Sequence, residues 1–465
     1  MLLTRKVYLY VIAALVAGWA VYCYNPFLLY FQNDDFTHLR LSSRHTFFQR
    51  NSFRPVCDVS VMLDYTLFGK TAAGYHMVNL VLHIACSVLV YFFSRRILLL
   101  FYPGEQKNVF AFIASLLFFI YPMHSESVFW ILGRSGTLGA IFALLFLLAF
   151  VKAKYTKRDA FASVLFYMLA LLSYESCWML LPVAAVLLAG VPGGRMLLKQ
   201  RKYTFALLAV IFLVYLFLRW KENHELLDNY EGAYFLQGNI VVLLQHFVQL
   251  LVRSFTAYAE TPAIITVGFC LAFLLPAIWY IRKFSRLKKS GYILLCFVLC
   301  LLPYLSLGID THGTEGERFL YLPSVFVCLF TAMILSAMQK KWAVVVTAFT
   351  CFVYAAQLYV NAGNYRFAGN VVKQTLNELT TDTSKNIIME GLPRSQHGAM
   401  ILESGLQHAV MFLGIDKDTA DIRISSLRGE LKPLQKPYKI VHVRVSEDVA
   451  VARYVFTDTA LVIYK

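Results

Sequence analysis

The chain has 465 residues, 59% of them hydrophobic and only 15% charged, against about 45–50% and about 25% in soluble domains, so a soluble globular enzyme is excluded. At about 20 residues per membrane-spanning helix, the composition leaves room for ten or so spans and a modest soluble part. The net charge of +16 has to be located along the chain before it says anything about partners. Nine cysteines, most of them in or beside apolar runs, with Cys57 and Cys177 the exceptions, argue against a disulfide framework.

The first apolar run, Val7 to Tyr24, follows only Arg5 and Lys6 and shows no small-residue cleavage site, so it reads as a retained anchor. Ten further spans are expected at Tyr75 to Ser94, Val109 to Tyr121, Thr137 to Val151, Phe161 to Ser173, Trp178 to Val191, Phe205 to Leu218, Ile264 to Ile281, Tyr292 to Leu307, Phe319 to Met338 and Ala343 to Val360. The shorter runs are read as apolar centres of helices that extend into the flanking loops. Threaded with the N-terminus inside, the inner loops collect Arg95, Arg96, Lys107, Lys152, Lys154, Arg201, Arg282, Lys283, Lys340 and Lys341. Before the tail, only Glu105 and Asp159 among the acids fall inside. The excess charge is therefore topology, and no nucleic-acid partner is expected.

One apolar segment, Ile240 to Tyr258, would put the Arg282 to Lys289 cluster on the outer side if it crossed. Gln245, Gln249 and Arg253 recur every four residues, as on an interfacial or re-entrant helix, and the segment is not counted as a span. After Gly369 the character changes, with 12 basic and 11 acidic residues and turn signals at Gly391, Pro393, Gly405 and Gly414. Strands are expected at Asn386 to Met389, Lys439 to Val445, Ala452 to Phe456 and Ala460 to Tyr464, with Gln396 to Leu413 a strand or a helix. The expected fold class is thus an all-α polytopic membrane protein of about 11 spans, residues 1–364, followed by a small α/β domain, residues 365–465, on the outer side.

The first outer loop, Asn25 to Gly74, opens with Asn33-Asp34-Asp35-Phe36. Two adjacent carboxylates at the membrane edge, where the dielectric falls, suit a general base, although a solvated helix cap would use the same residues. Further outer positions hold Phe53-Arg54-Pro55-Val56, Asp64-Tyr65, Tyr121-Pro122-Met123-His124-Ser125-Glu126, Gly133-Arg134-Ser135-Gly136, Tyr174-Glu175 and Glu315-Gly316-Glu317-Arg318-Phe319-Leu320-Tyr321. His76 and His83 share a helix face and read as helix-packing hydrogen bonders.

In order and placement these motifs, over roughly Asn33 to Ser324, resemble the GT-C superfamily of polyprenyl-phosphate-sugar glycosyltransferases, and within it the protein O-mannosyltransferase-like branch. The resemblance implies an outer-face enzyme that passes one sugar from a polyprenyl-phosphate carrier to a hydroxyl of a glycan, lipid or protein acceptor. It maps the catalytic base to Asp34 or Asp35. A departing lipid phosphate needs positive charge; Arg134, Arg318 and Arg54 are the donor-phosphate candidates, each of which would serve equally as an anchor snorkelling to headgroups. His124, Glu126, Glu175 and Glu317 are the sugar or acceptor candidates. His124 with Glu126 would also steady the arginines or cap a helix. Relatives often carry a lysine before the acid at 175; Tyr174 stands there instead, which weakens a local ion pair.

No tightly bound metal or cofactor is expected, with a divalent cation as an option at Asp34 and Asp35. The absence of the helical repeats that some relatives carry makes a bacterial inner-membrane enzyme facing the periplasm the leading location and the endoplasmic reticulum membrane the alternative. A transporter or flippase is the rival class, but inverted repeats and mid-span charges are not found. A non-catalytic scaffold derived from the same fold is the third reading.

Overall fold

Long runs of Leu, Phe, Ala and Val without interior breakers leave the backbone one way to satisfy itself inside lipid, the α-helix. The computed structural model describes residues 18–44, 53–101, 107–223, 239–281, 287–381, 386–390, 392–403, 405–415, 422–424, 427–428, 439–443, 451–456 and 460–464. In chain order the helices are α1 (18–23), α2 (Asp35–Ser43), α3 (Pro55–Phe68), α4 (Ala72–Phe101), α5 (Lys107–Phe119), α6 (Ser125–Phe129), α7 (Arg134–Phe150), α8 (Lys157–Ser173), α9 (Leu180–Gly190), α10 (Gly194–Gln200), α11 (Lys202–Asn223), α12 (Ile240–Arg253), α13 (Ala263–Ile281), α14 (Leu287–Leu301), α15 (Tyr321–Ala337), α16 (Lys340–Thr381) and α17 (Leu406–Leu413). All ten spans expected after the first thus coincide with helices. Residues 7–17 of the first, with Arg5, Lys6, Glu105, Arg282 and Lys283, lie outside the described residues.

Among the described residues, four helices are long and apolar enough to cross a membrane by length and composition, α4, α11, α16 and α15 with the turn before it. A fifth is counted if α5 and the Pro122–Phe129 segment, bent by 54°, form one broken span. The bend falls at Pro122, whose ring interrupts the ladder. The freed groups are met from α16, where Asn361 donates to the Pro122 carbonyl at 3.1 Å and to Ser125 Oγ at 2.8 Å. α12, at 14 residues and about 21 Å, is too short to cross alone. Its Ile240, Val241, Leu244 and Val248 are exposed while Leu250 and Arg253 are buried. α15 is the most enclosed of these span-length helices, packing against α5, α7 and α14.

The two ends of the helices differ in charge. At one end Lys152 pairs with Asp159, which also closes a capping box with Thr156 at the start of α8. There too Arg201 reaches the Lys152 carbonyl, Lys289 the Phe101 carbonyl and Arg96 the Leu148 carbonyl. The carboxylates of the conspicuous motifs gather at the other end.

α16 runs for 42 residues, through the boundary expected near residue 364, and leads into β-structure. The strands are β1 (Asn386–Glu390), β2 (Leu392–Pro393), β3 (Ser395–Gln396), β4 (Ala399–Met400), β5 (Ile422–Ile424), β6 (Leu427–Arg428), β7 (Lys439–Val443), β8 (Val451–Phe456) and β9 (Ala460–Tyr464). Five of them form a mixed sheet in the order β5-β1-β8-β9-β7, antiparallel only between β8 and β9. The Gln396 to Leu413 stretch holds both element types, the end of a β3–β4 hairpin and then α17.

α17 packs on α2. Phe412 meets Phe31 and Phe36, and the Asn33 N–H donates to the Ile401 carbonyl at 2.7 Å. Gly405 is obligatory for this approach, because a Cβ there would lie 1.9 Å from the Asn33 carbonyl oxygen. Gly405→Ala is expected to push the two segments apart at about 1–3 kcal/mol, read as a lower melting temperature in detergent. Gly363→Ala, which meets nothing within 4 Å, should leave it unchanged.

Candidate active site

Asn33 adopts φ +38°, a left-handed conformation that Asn tolerates better than most residues, and the turn it makes sends Asp34 and Asp35 in different directions. Asp34 sits at the N-cap position of α2 without a side-chain capping hydrogen bond and stays partly exposed. Asp35 is 1% exposed; its Oδ2 accepts the Gln32 N–H at 2.9 Å, and Oδ1 has no hydrogen-bond partner. Burial pushes the Asp35 carboxyl up to about 8, against the lowering effect of the Gln32 N–H, and the neighbouring Asp34 charge adds to the rise. At neutral pH Asp35 is therefore a protonated acid, and Asp34 is the more exposed of the two side chains. Behind them Arg40 Nη1 donates to His408 Nδ1 at 2.9 Å, which leaves the imidazole proton on Nε2.

The arginines are all engaged with acids. Arg134 at the start of α7 is 0% exposed and sits 2.5 Å from Asp64 of α3. It also donates to Ser60 Oγ at 3.0 Å, the Tyr75 carbonyl at 3.1 Å and the Ile131 carbonyl at 3.3 Å. Burial raises the Asp64 carboxyl, and Arg134 works against that rise. Expected as a phosphate ligand, Arg134 is instead enclosed as a strut that ties α7 to α3 and α4.

Arg318 and Arg54 are placed differently. Glu126 takes the Arg318 guanidinium on one oxygen and the Arg318 N–H on the other at 2.9 Å. The Arg318 guanidinium lies over Trp130 at 5.3 Å and Phe319 at 4.8 Å. It borders a narrow cleft shared with Gly136, Tyr174, Ser176, Tyr304 and Tyr321. Arg54, just before α3, makes a two-pronged pair with Glu175 at 2.8 and 2.5 Å and lies 4.9 Å over the Tyr174 ring. Burial alone would raise the Glu175 carboxyl, but Arg54 outweighs it and holds the group down at about 2. The absent local lysine is thus replaced by an arginine 121 residues away.

Glu317 pairs with Arg253 of α12 at 2.6 Å, both buried. Arg253 also bonds the Thr256, Asp310 and Gly313 carbonyls. His124 is 0% exposed, with Nε2 2.7 Å from Ser324 Oγ and its ring against Phe118 and Tyr321. It packs helices rather than facing the cleft. His83 does the same through the Tyr321 hydroxyl and Phe119 carbonyl. Glu126 thus steadies an arginine, as one of its readings had it, Glu175 does the same, and Glu317 is buried against Arg253. Among the described residues no three His, Cys, Asp or Glu side chains are placed to hold a metal ion, and all nine cysteines are free.

Sequence reasoning missed Arg253 as a partner of Glu317, and His408 with Arg40. The only signal for Arg253 was its place at the polar end of an amphipathic helix, and His408 carries no motif at all.

The apolar helices and this cluster of charges at one end of them define a multi-pass membrane protein. In fold the chain is similar to ArnT of Cupriavidus metallidurans bound to undecaprenyl phosphate, with a TM-score of 0.53 at 10% identity over 87% of this chain and 84% of that one. The apo form of ArnT gives a TM-score of 0.50 at 11% identity over 88% and 85%. In sequence it is similar to protein O-mannosyl-transferases, as the motifs implied. The match is 25% identical over 335 residues to one of Caenorhabditis elegans, covering 67% of this chain and 45% of that protein. It is 34% identical over 129 residues to protein O-mannosyl-transferase TMTC2 of Mus musculus, covering 28% and 14%. The chain spans less than half the length of these curated relatives. No family model matches it.

Proposed function

We propose that the protein is a membrane glycosyltransferase that moves one sugar from a polyprenyl-phosphate carrier to an acceptor hydroxyl on the face away from the cytoplasm. The observation that carries the reading is the joining of a partly exposed carboxylate to a cationic cleft. The Asp34–Asp35 turn lies beside the Leu132 segment, where the Leu132 N–H and Arg134 both act electrostatically on Asp35, and Trp130, two residues before Leu132, stacks on Arg318 at the cleft. In this reading Asp34 removes the acceptor proton as the anomeric carbon is attacked. Arg318, with Arg54 behind the cleft-lining Tyr174, stabilises the phosphate that departs. The basic residues at the opposite end support an outward-facing site, and the sequence expectation of eleven spans starting inside would make the C-terminal segment outward as well. The relatives' names make mannose the first sugar to test.

Purified protein given a radiolabelled polyprenyl-phosphate mannose and an envelope or membrane extract as acceptor should move label out of the lipid phase. Arg318→Ala should lower kcat/KM for the donor by about 1.5–3 kcal/mol, the range for hydrogen bonds to charged groups, or roughly tenfold to 150-fold. No transfer from any polyprenyl-phosphate sugar by the wild type would sink the proposal.

A further inference from the structure

Four arginine–carboxylate pairs surround the site, and they are not equivalent. Asp64 and Glu317 have side chains 5% and 1% exposed and face arginines that hold several backbone carbonyls as well. Glu126 is 7% exposed and is further fixed by the Arg318 N–H. Glu175 is 27% exposed, the most open of the four. It lies on a single 3-10 turn, Glu175–Met179, whose Ser176 and Cys177 line the cleft together with Tyr174.

The geometry of the Glu175 pair is that of an anion site. Arg54 presents Nε and Nη2 to the two carboxylate oxygens, the same guanidinium edge that receives two oxygens of a phosphate. Its other face is fixed over Tyr174, so the fork is held ready. A guanidinium kept from water needs a counter-charge whether or not a ligand is present. Glu175 also has a second cation in range: Arg219, near the end of α11, acts on it electrostatically and has Nη1 3.1 Å from the Tyr215 hydroxyl.

We propose that Glu175 is a stand-in for the donor phosphate: it neutralises Arg54 while the site is empty, and yields the guanidinium to the incoming polyprenyl phosphate by turning toward Arg219. Donor binding is then an exchange of one anion for another on Arg54, which is not left without a counter-charge at either stage. This inference rests on the reading of Arg54 as a donor-phosphate ligand. It gives Glu175 a part in setting donor affinity and release that is separate from contact with the sugar.

The test is equilibrium binding of undecaprenyl phosphate to the full-length protein in lipid nanodiscs. Removing the competing charge with Glu175→Gln should tighten binding about two- to fivefold, the scale of a partly exposed ion pair. Glu175→Asp, which keeps the charge but shortens its reach, should tighten it less, and serves if the Gln variant folds poorly. Arg54→Gln should weaken binding at least tenfold, and Glu175→Gln should give no gain in that background. Weaker or unchanged binding in both Glu175 variants, with wild-type binding intact, would make the pair a permanent strut and overturn the exchange alone. No binding by the wild type would overturn the donor-site reading as well.

Discussion

Asp34→Asn is expected to lower turnover by about 10²–10⁴-fold, the contribution of a general base, while leaving folding and donor binding intact. The amide keeps the size and hydrogen bonding of the side chain and removes only its ability to accept a proton. Asp35→Asn is expected to cost far less, within about tenfold, because burial already keeps that carboxyl protonated up to about pH 8. Its signature lies in stability. Asp35 ionises near pH 4 in the unfolded chain but near 8 in the folded one, so the folded chain binds the extra proton between these values. The stability it contributes is complete below about pH 4 and is lost as the pH rises through about 8. Melting temperatures from pH 5 to 9 should fall for the wild type and fall less for Asp35→Asn. Full activity in Asp34→Asn with loss of activity in Asp35→Asn would reverse the assignment.

Arg134→Met is expected to cost about 3–5 kcal/mol of stability, since it leaves Asp64 as a buried, unpaired carboxylate. Pairing it with Asp64→Asn should recover much of that loss, the non-additivity of two groups in contact. Donor KM in the Arg134→Met protein that still folds should match the wild type, in contrast to Arg318→Ala. A raised donor KM with unchanged stability would return Arg134 to the phosphate site.

The helices after the first were legible because apolar runs leave lipid-facing backbone no other conformation. The parts of the site were legible one by one, since an ionisable residue at the end of an apolar run stands out. What could not be read was which acid meets which base. Arg54 with Glu175, Arg134 with Asp64 and Arg318 with Glu126 are joined by tertiary packing across 121, 70 and 192 residues, and no periodicity encodes a partner at such range. The same holds for the contrast between Asp34 and Asp35. They are neighbours in sequence, and only the turn at Asn33, with its positive φ, leaves one of them partly exposed and buries the other.

The hydrogen bond from Asn33 to Ile401 and the fit of Gly405 against the same turn also set an order of events during synthesis. Ribosomes extend chains at about 5–20 residues per second, so the Asp34 turn is made about 20–75 seconds before the segment that braces it emerges. Throughout that interval the membrane helices can insert and pack, but the turn lacks its brace. A chain released between Arg318 and Ile401 would carry every arginine and carboxylate of the cleft and still lack the contact that holds the Asp34 turn in place.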